Sequence, residues 1–331
     1  MKVAINGFGR IGKQFFLAAI AHRVDWDIII NEPGDLDFVS YSLKYDSAHP
    51  LHNVKIFHDK NYLFFGNRKI KFYNILNASK LPWSKEKVDL VVDCSGHFTN
   101  AEDANLHIKA GAKKVLISAP AKGHDVTIIP GVNEKVLKKE HKIISAGSCT
   151  TNCISPMVKI LNDLFHIKNA YFVTTHAYTA TQKLIDGHDQ KDPRRGRAAA
   201  VNITPATSGA SQSVIESLPE IKGKLKGYAL RVPVVNGSIS SLIAEVEKKT
   251  SIDEINSSFR KKSLGEFKGI LEYNEDPIVS TDIIGNQSSC IFDSTMTDVQ
   301  GDLISIAGWY DNEIGYSNRL VNVAKLILNK G

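Results

Sequence analysis

Short apolar runs separated by amphipathic stretches fill the first half of the chain. Lys2–Asn6, Trp26–Asn31, Val88–Cys94, Lys114–Ser118 and Lys142–Ser145 read as buried strands, and Ile11–Ala21 carries its apolar residues at helical spacing. That alternation predicts βαβ units and a parallel sheet. From about Tyr171 the pattern changes to longer, more evenly spaced strands: "AYFVTTHA", "KGYALRVPVV", "SISSLIAEVE", "SSCIFD" and "LISIAGWYD". Few helices interrupt them, so a second unit with a mixed or antiparallel sheet follows. Ser317–Leu328 places Leu320, Val321, Val323, Ala324, Leu326, Ile327 and Leu328 on the apolar side of a closing helix, which must pack on something. No internal repeat, low-complexity segment or long linker divides the chain.

With 331 residues, 43% of them hydrophobic and 23% charged, the chain can bury a sizeable core, and two domains fit its length better than one. No apolar run approaches the roughly 20 residues that span a bilayer. Arg10, Lys13 and the glycines between them interrupt a signal-peptide reading of "GRIGKQFFLAAIA". A cytoplasmic protein with no membrane partner is expected. Cysteines at 94, 149, 153 and 290 are too scattered for a disulfide framework, and no second close pair completes a zinc site, so free thiols and no metal are expected. A net charge of +6 raises nucleic acid as a partner, but the basic cluster "KDPRRGR", Lys191 to Arg197, is short and lacks interleaved aromatics. A small-anion site or a solvated loop explains it as well.

"VAINGFGRIG" sets Gly7, Gly9 and Gly12 between a strand and a helix beginning near Arg10, and Glu32 follows at the end of the next strand. This is the dinucleotide fingerprint in its proper context: glycines admit the pyrophosphate to the helix N-terminus, and the carboxylate accepts from the ribose hydroxyls. The first unit is therefore expected to be a Rossmann-type doubly wound sheet. A carboxylate facing the ribose repels a 2′-phosphate, so NAD is expected over NADP.

"ISAGSCTTNCISP" puts Cys149 at the start of a helix whose apolar residues are Ile154, Met157, Val158, Leu161 and Phe165. A helix N-terminus favours a thiolate and lowers its pKa, which makes Cys149 the candidate nucleophile. Cys153, one turn on, joins the packed face. Among eleven histidines, His176 is best placed as its base, at the end of "YFVTTH", although a histidine there is as readily structural.

The motifs "INGFGRIG", "KYDSAHP", "SCTTNC", "HAYTATQ", "RRGRAA", "RVPVVN" and "WYDNEIGYSNR" together resemble, in order and spacing, the phosphorylating glyceraldehyde-3-phosphate dehydrogenases. The resemblance covers the whole chain. It implies an α/β chain with an NAD-binding domain at 1–148, an α+β catalytic domain at 149–312, and a C-terminal helix, 313–331, packing back on the first. It also implies a homotetramer that oxidises glyceraldehyde 3-phosphate, with inorganic phosphate, to an acyl phosphate.

By the same resemblance, Cys149 attacks the aldehyde and His176 serves first as base and then as acid. Gly9, Arg10, Ile11, Ser95, Gly96 and Ser118 line the cofactor, and Asn312 holds its carboxamide. Thr179, Thr181 and Arg231 match the site for the substrate's phosphate. Ser148, Thr150, Ser208 and Gly209 match that for attacking phosphate, with Arg195 between the two. Three departures from the family pattern stand out. Glu32 replaces a commoner aspartate. Ala146-Gly147 replaces Asn-Ala, which is expected to loosen the turn into the catalytic helix. Gly187 and His188 replace residues that close on the ribose, which weakens the exclusion of NADP. The rival readings are an erythrose-4-phosphate dehydrogenase, which also carries a glutamate at the ribose position, and an idle RNA- or protein-binding chain, which would have lost Cys149, His176 or the phosphate-site arginines.

Overall fold

The computed structural model describes residues 1–50, 54–190 and 192–330. Lys191 of the basic cluster and Gly331 lie outside the described residues. Two units emerge: Met1–Ile128 with Glu134–Gly147 and the chain from Ser317, and Ile129–Asn133 with Ser148–Tyr316.

In the first unit, β1 (Lys2–Asn6), α1 (Arg10–Ala21), β2 (Asp27–Asn31) and α2 (Leu36–Lys44) open the fold. They are followed by β3 (Ile56–His58), β4 (Tyr62–Phe65), β5 (Arg68–Tyr73), α3 (Trp83–Glu86), β6 (Leu90–Asp93) and α4 (Ala101–Lys109). Strands β7 (Lys114–Ile117), β8 (Val126–Thr127) and β9 (Ile143–Ser145) complete a sheet of order β3-β4-β5-β2-β1-β6-β7-β9-β8. The apolar runs of β1, β2, β6 and β7 are buried, as strands covered on both faces require. β1 pairs in parallel with both β2 and β6, so the strand order leads away from it in both directions. Such a switch point leaves a crevice beyond the strand ends.

The sheet is not wholly parallel. β3, β4 and β5 form antiparallel pairs at one edge, in a segment whose interleaved lysines, arginine and asparagines hide the strand periodicity. Such polar positions suit an edge strand, half exposed to water.

The second unit begins with α5 (Cys149–Phe165) and β10 (Ile167–Ala177), followed by β11 (Thr204–Thr207), α6 (Ala210–Ser217), β12 (Leu225–Val232), β13 (Ser238–Val246) and α7 (Ile252–Leu264). Then come β14 (Leu271–Asn274), β15 (Cys290–Gln300) and β16 (Leu303–Tyr310); α8 (Ile314–Asn329) follows, and from Ser317 on it belongs to the first unit. Seven strands run in the order β11-β12-β10-β13-β16-β15-β14. The sheet is mixed: β10 lies parallel to β12 and antiparallel to β13, and β14 lies parallel to β15. β12 stops at Val232 rather than continuing to Val235, because Pro233 has no N–H to offer a ladder. Ile154, Met157, Val158, Leu161 and Phe165 of α5 are buried with Phe172, Leu242 and Ile306 of the sheet. Each such large side chain contributes about 1.5–3 kcal/mol, enough to fix the helix and hence its first residue.

Candidate active site

The turn into α5 is built by its own polar side chains. Ser148 caps the helix, its hydroxyl accepting from Thr151 N at 3.1 Å, while Ser148 N donates to Thr151 Oγ1 at 3.1 Å. This reciprocal cap sets Cys149 as the first helical residue. Gly147 takes φ 63° and donates to Ser145 Oγ at 3.0 Å. The turn that Ala146-Gly147 was expected to loosen is therefore pinned by a hydrogen bond, and its left-handed residue is the one without a side-chain penalty.

His176 reaches the cysteine through strand periodicity. Ala170, Phe172, Thr174 and His176 alternate onto the buried face of β10, the face that packs α5. Its Nε2 lies 3.3 Å from Cys149 Sγ, and its Nδ1 lies 2.7 Å from the carbonyl of Ala177. Nδ1 thus faces two opposite partners, the Ala177 carbonyl, which can only accept, and Arg231 Nη1, which can only donate, while Nε2 faces the thiol. The parallel register opposes His176 to Arg231 of β12. Arg231 Nη1 stands 2.5 Å from Nδ1 and donates to the Ala177 carbonyl at 3.2 Å.

The electrostatics differ from the expectation at Cys149. Burial pushes the thiol up, opposed by the Arg231 charge and by hydrogen bonds from Thr150. The helix N-terminus alone does not win, because the sulfur has lost its water. Burial, then Arg231, lowers His176 to about 3. Burial thus disfavours the charged form of both groups.

Tyr310 was not singled out by the sequence reading, though it stands inside "WYDNEIGYSNR". Its hydroxyl joins Thr150 Oγ1 at 3.0 Å and Thr174 Oγ1 at 2.7 Å, and its ring meets His176 edge-on, with centroids 5.9 Å apart. It thus ties the head of α5 to β10. Ser238 was missed as well: its Oγ accepts from Ala177 N at 3.1 Å and donates to Asn312 Oδ1 at 3.0 Å. Gly237 N donates to the same Asn312 oxygen at 3.2 Å, which fixes which way the Asn312 amide points.

The remaining anion-site candidates lie on three segments of the second unit. Thr179 and Thr181 follow β10 with their hydroxyls 2.9 Å apart. Arg195 lies in the helical turn Pro193–Gly196, close enough that its charge disfavours that of Arg231. Ser208 and Gly209 stand at the head of α6, where Ser208 Oγ accepts from Ala210 N at 3.2 Å. No hydrogen bond joins Thr179, Thr181, Arg195, Ser208 or Gly209 to Cys149 or His176 among the described residues.

Apart from Asn312, which lies in the second unit, the dinucleotide candidates stand in the first unit after β1, β2, β6 and β7. Gly7 has φ 86°, and a Cβ there would lie 2.6 Å from Ser95 N; a Cβ on Gly12 would meet the Gly7 carbonyl at 2.0 Å. At Gly9 and Gly96 an added Cβ meets nothing within 4 Å. The first pair of glycines closes the loop on its neighbours, and the second pair leaves open space at the head of α1, where Arg10 and Ile11 begin the helix. That space fits the pyrophosphate of a dinucleotide. Glu32 accepts from Phe8 N at 2.6 Å and Gly34 N at 3.2 Å through different oxygens. Each carboxylate oxygen keeps a second acceptor site for a ribose hydroxyl. Ser118 follows β7, its N donating to the Asp93 carbonyl at 3.0 Å and its side chain bonding the Cys94 thiol. Arg10 and buried Lys13 both donate to Asp46 of "KYDSAHP", which also accepts from Ala48 N and His49 N.

Residues 1–101 match the family described as "Glyceraldehyde 3-phosphate dehydrogenase, NAD binding domain", and residues 148–312 match its C-terminal domain. The chain is 45% identical over 333 residues to glyceraldehyde-3-phosphate dehydrogenase 2 of Streptomyces avermitilis, covering 100% of this chain and 99% of the relative. It is 44% identical to glyceraldehyde-3-phosphate dehydrogenase 1 of Bacillus subtilis and 43% identical to the Geobacillus stearothermophilus enzyme, each over 333 residues with the same coverage.

Proposed function

Because this chain belongs to the glyceraldehyde-3-phosphate dehydrogenase family, we propose that it oxidises glyceraldehyde 3-phosphate to an acyl phosphate through a thioester on Cys149. The chain is an NAD-dependent oxidoreductase. NAD supplies the hydride acceptor when bound. The observation that carries the proposal is the 3.3 Å approach of Cys149 Sγ to a His176 ring whose other nitrogen is held by Ala177.

As Sγ attacks the aldehyde carbon, its proton passes to Nε2, and the Ala177 carbonyl stabilises the imidazolium. The Cys149 N–H and the His176 ring stabilise the hemithioacetal oxygen. The imidazolium gives its proton to that oxygen, and the neutral His176 then takes the hydroxyl proton back as the substrate is oxidised, which leaves the thioester and an imidazolium. Phosphate then attacks, and the thiol leaves with a proton from His176. Arg231, Thr179 and Thr181 hold the substrate's phosphate, while Ser148, Thr150, Ser208 and Gly209 hold the attacking one, with Arg195 between them. Asn312, its oxygen taken by Gly237 and Ser238, offers its N–H₂ to the cofactor's carboxamide. We assign the enzyme to the cytoplasm as a homotetramer.

NADH formation with glyceraldehyde 3-phosphate and with erythrose 4-phosphate, in the native protein and in Cys149→Ser, tests this reading. Native turnover of the three-carbon substrate is expected to exceed that of the four-carbon one, and Cys149→Ser to lose it by at least about a thousandfold. A faster four-carbon reaction moves the chain to the sister enzyme, and an active Cys149→Ser refutes the nucleophile.

A further inference from the structure

Beneath the dinucleotide end of the first unit lies a closed polar network that the reaction does not use. Asp93, at the end of β6, is buried. Its Oδ1 accepts from Ser95 N at 3.2 Å and Ser95 Oγ at 2.8 Å, and its Oδ2 from Asn6 Nδ2 at 2.6 Å and His107 Nε2 at 3.3 Å. The tautomer of His107 is fixed from behind. The Trp83 indole can only donate, and it does so to His107 Nδ1 at 3.1 Å, so the ring's hydrogen is on Nε2 and points at Asp93. Asn6 Oδ1 in turn accepts from Asn31 Nδ2 at 2.8 Å, and Asn31 Oδ1 accepts from Ile75 N at 3.0 Å. The ends of β1, β2 and β6 are thereby linked to α3 and α4, and the chain of bonds terminates on the Ser95 turn against which Gly7 packs.

We infer that Asp93 is a positioning residue for NAD, and that His107, with its tautomer set by Trp83, acts on the cofactor through it. A carboxylate suits this position because four donors converge on its two oxygens. An amide in its place turns an N–H₂ against either Ser95 or the Asn6 and His107 donors, and a misplaced Ser95 turn takes the Gly7 loop with it. The inference rests on the reading of the Gly7–Gly12 loop and the Ser95–Gly96 turn as the NAD site.

The test is calorimetric titration of NAD into the full-length native protein and into Asp93→Asn, His107→Leu and His107→Gln. Iodoacetamide alkylation of Cys149 is followed alongside as a readout of the second unit, and thermal melting reports folding. Asp93→Asn is expected to raise the Kd about tenfold or more, with alkylation unchanged. His107→Leu raises it as well, and His107→Gln restores it, since glutamine can accept from Trp83 and donate to Asp93. Native affinity in folded Asp93→Asn, or a loss in His107→Leu that His107→Gln leaves uncorrected, overturns the inference; should His107→Leu not fold, Asp93→Asn decides alone. A native protein that binds no NAD instead refutes the cofactor reading, and this inference falls with it.

Discussion

Cys149 and Cys153 sit one turn apart on the same helix, and their surroundings assign them different work. Cys149 is half-buried and faces His176, whereas Cys153 is fully buried, its Sγ 3.6 Å from the Gly308 carbonyl. A serine at 153 can donate to that carbonyl, so Cys153→Ser should keep activity within about tenfold of native, as measured by NADH formation. His176 gives a second prediction. Its folded-state value of about 3 lies below the ordinary 6.5, so the unfolded chain takes up a proton between those values that the folded chain refuses. This contribution to stability is intact above 6.5 and is lost as pH falls toward 3. Between them His176→Asn should flatten the dependence of unfolding free energy on pH by up to about 1.4 kcal/mol per unit, read by urea titrations; an unchanged slope contradicts the burial argument. Glu32 gives a third: Glu32→Ala should narrow the preference for NAD over NADP in kcat/KM by removing an acceptor and a repulsive charge, and a native preference for NADP would contradict it.

The places of the glycine loop, of Cys149 and of His176 were legible in the sequence because each rests on a local rule: spacing after a strand, position at a helix start, position at a strand end. Partners set by register were not. Arg231 is opposed to His176 only because β10 and β12 pair in parallel, and nothing local to either strand announces that pairing. Tyr310 reaches Thr150 and Thr174 across the sheet, and Asp93 meets His107 from another element, for the same reason. The β3–β5 edge was hidden by its polar alternation. The sign of the Cys149 shift was missed because a helix terminus can be read from sequence while the loss of solvent around a sulfur cannot. At this scale Ser148→Ala, which removes the α5 cap, should cost about 1 kcal/mol in denaturant unfolding and slow Cys149 alkylation, since the same cap sets the cysteine's backbone. A variant as stable and as reactive as native would show that the cap does not position the nucleophile.

For the whole molecule, the division of labour follows from two sheets of different type. A doubly wound sheet offers open space at its strand ends for a dinucleotide, and a mixed sheet backs a helix whose first residue is Cys149, the candidate nucleophile. The loop after β10 leaves Leu184, Ile185, Val201 and Ile203 exposed, an apolar surface suited to burial between copies of the chain. A light-scattering mass near four chains is expected, and a stable, active monomer would contradict the assembly. The central claim, a Cys149 thioester resolved by phosphate, is tested most directly by rapid mixing of the NAD-loaded protein with glyceraldehyde 3-phosphate, with and without inorganic phosphate. Without phosphate the thioester has no efficient exit, so a burst approaching one NADH per active site and then near-arrest are expected, with phosphate restoring continuous turnover. Steady turnover without phosphate, or no burst in its absence, would contradict the account.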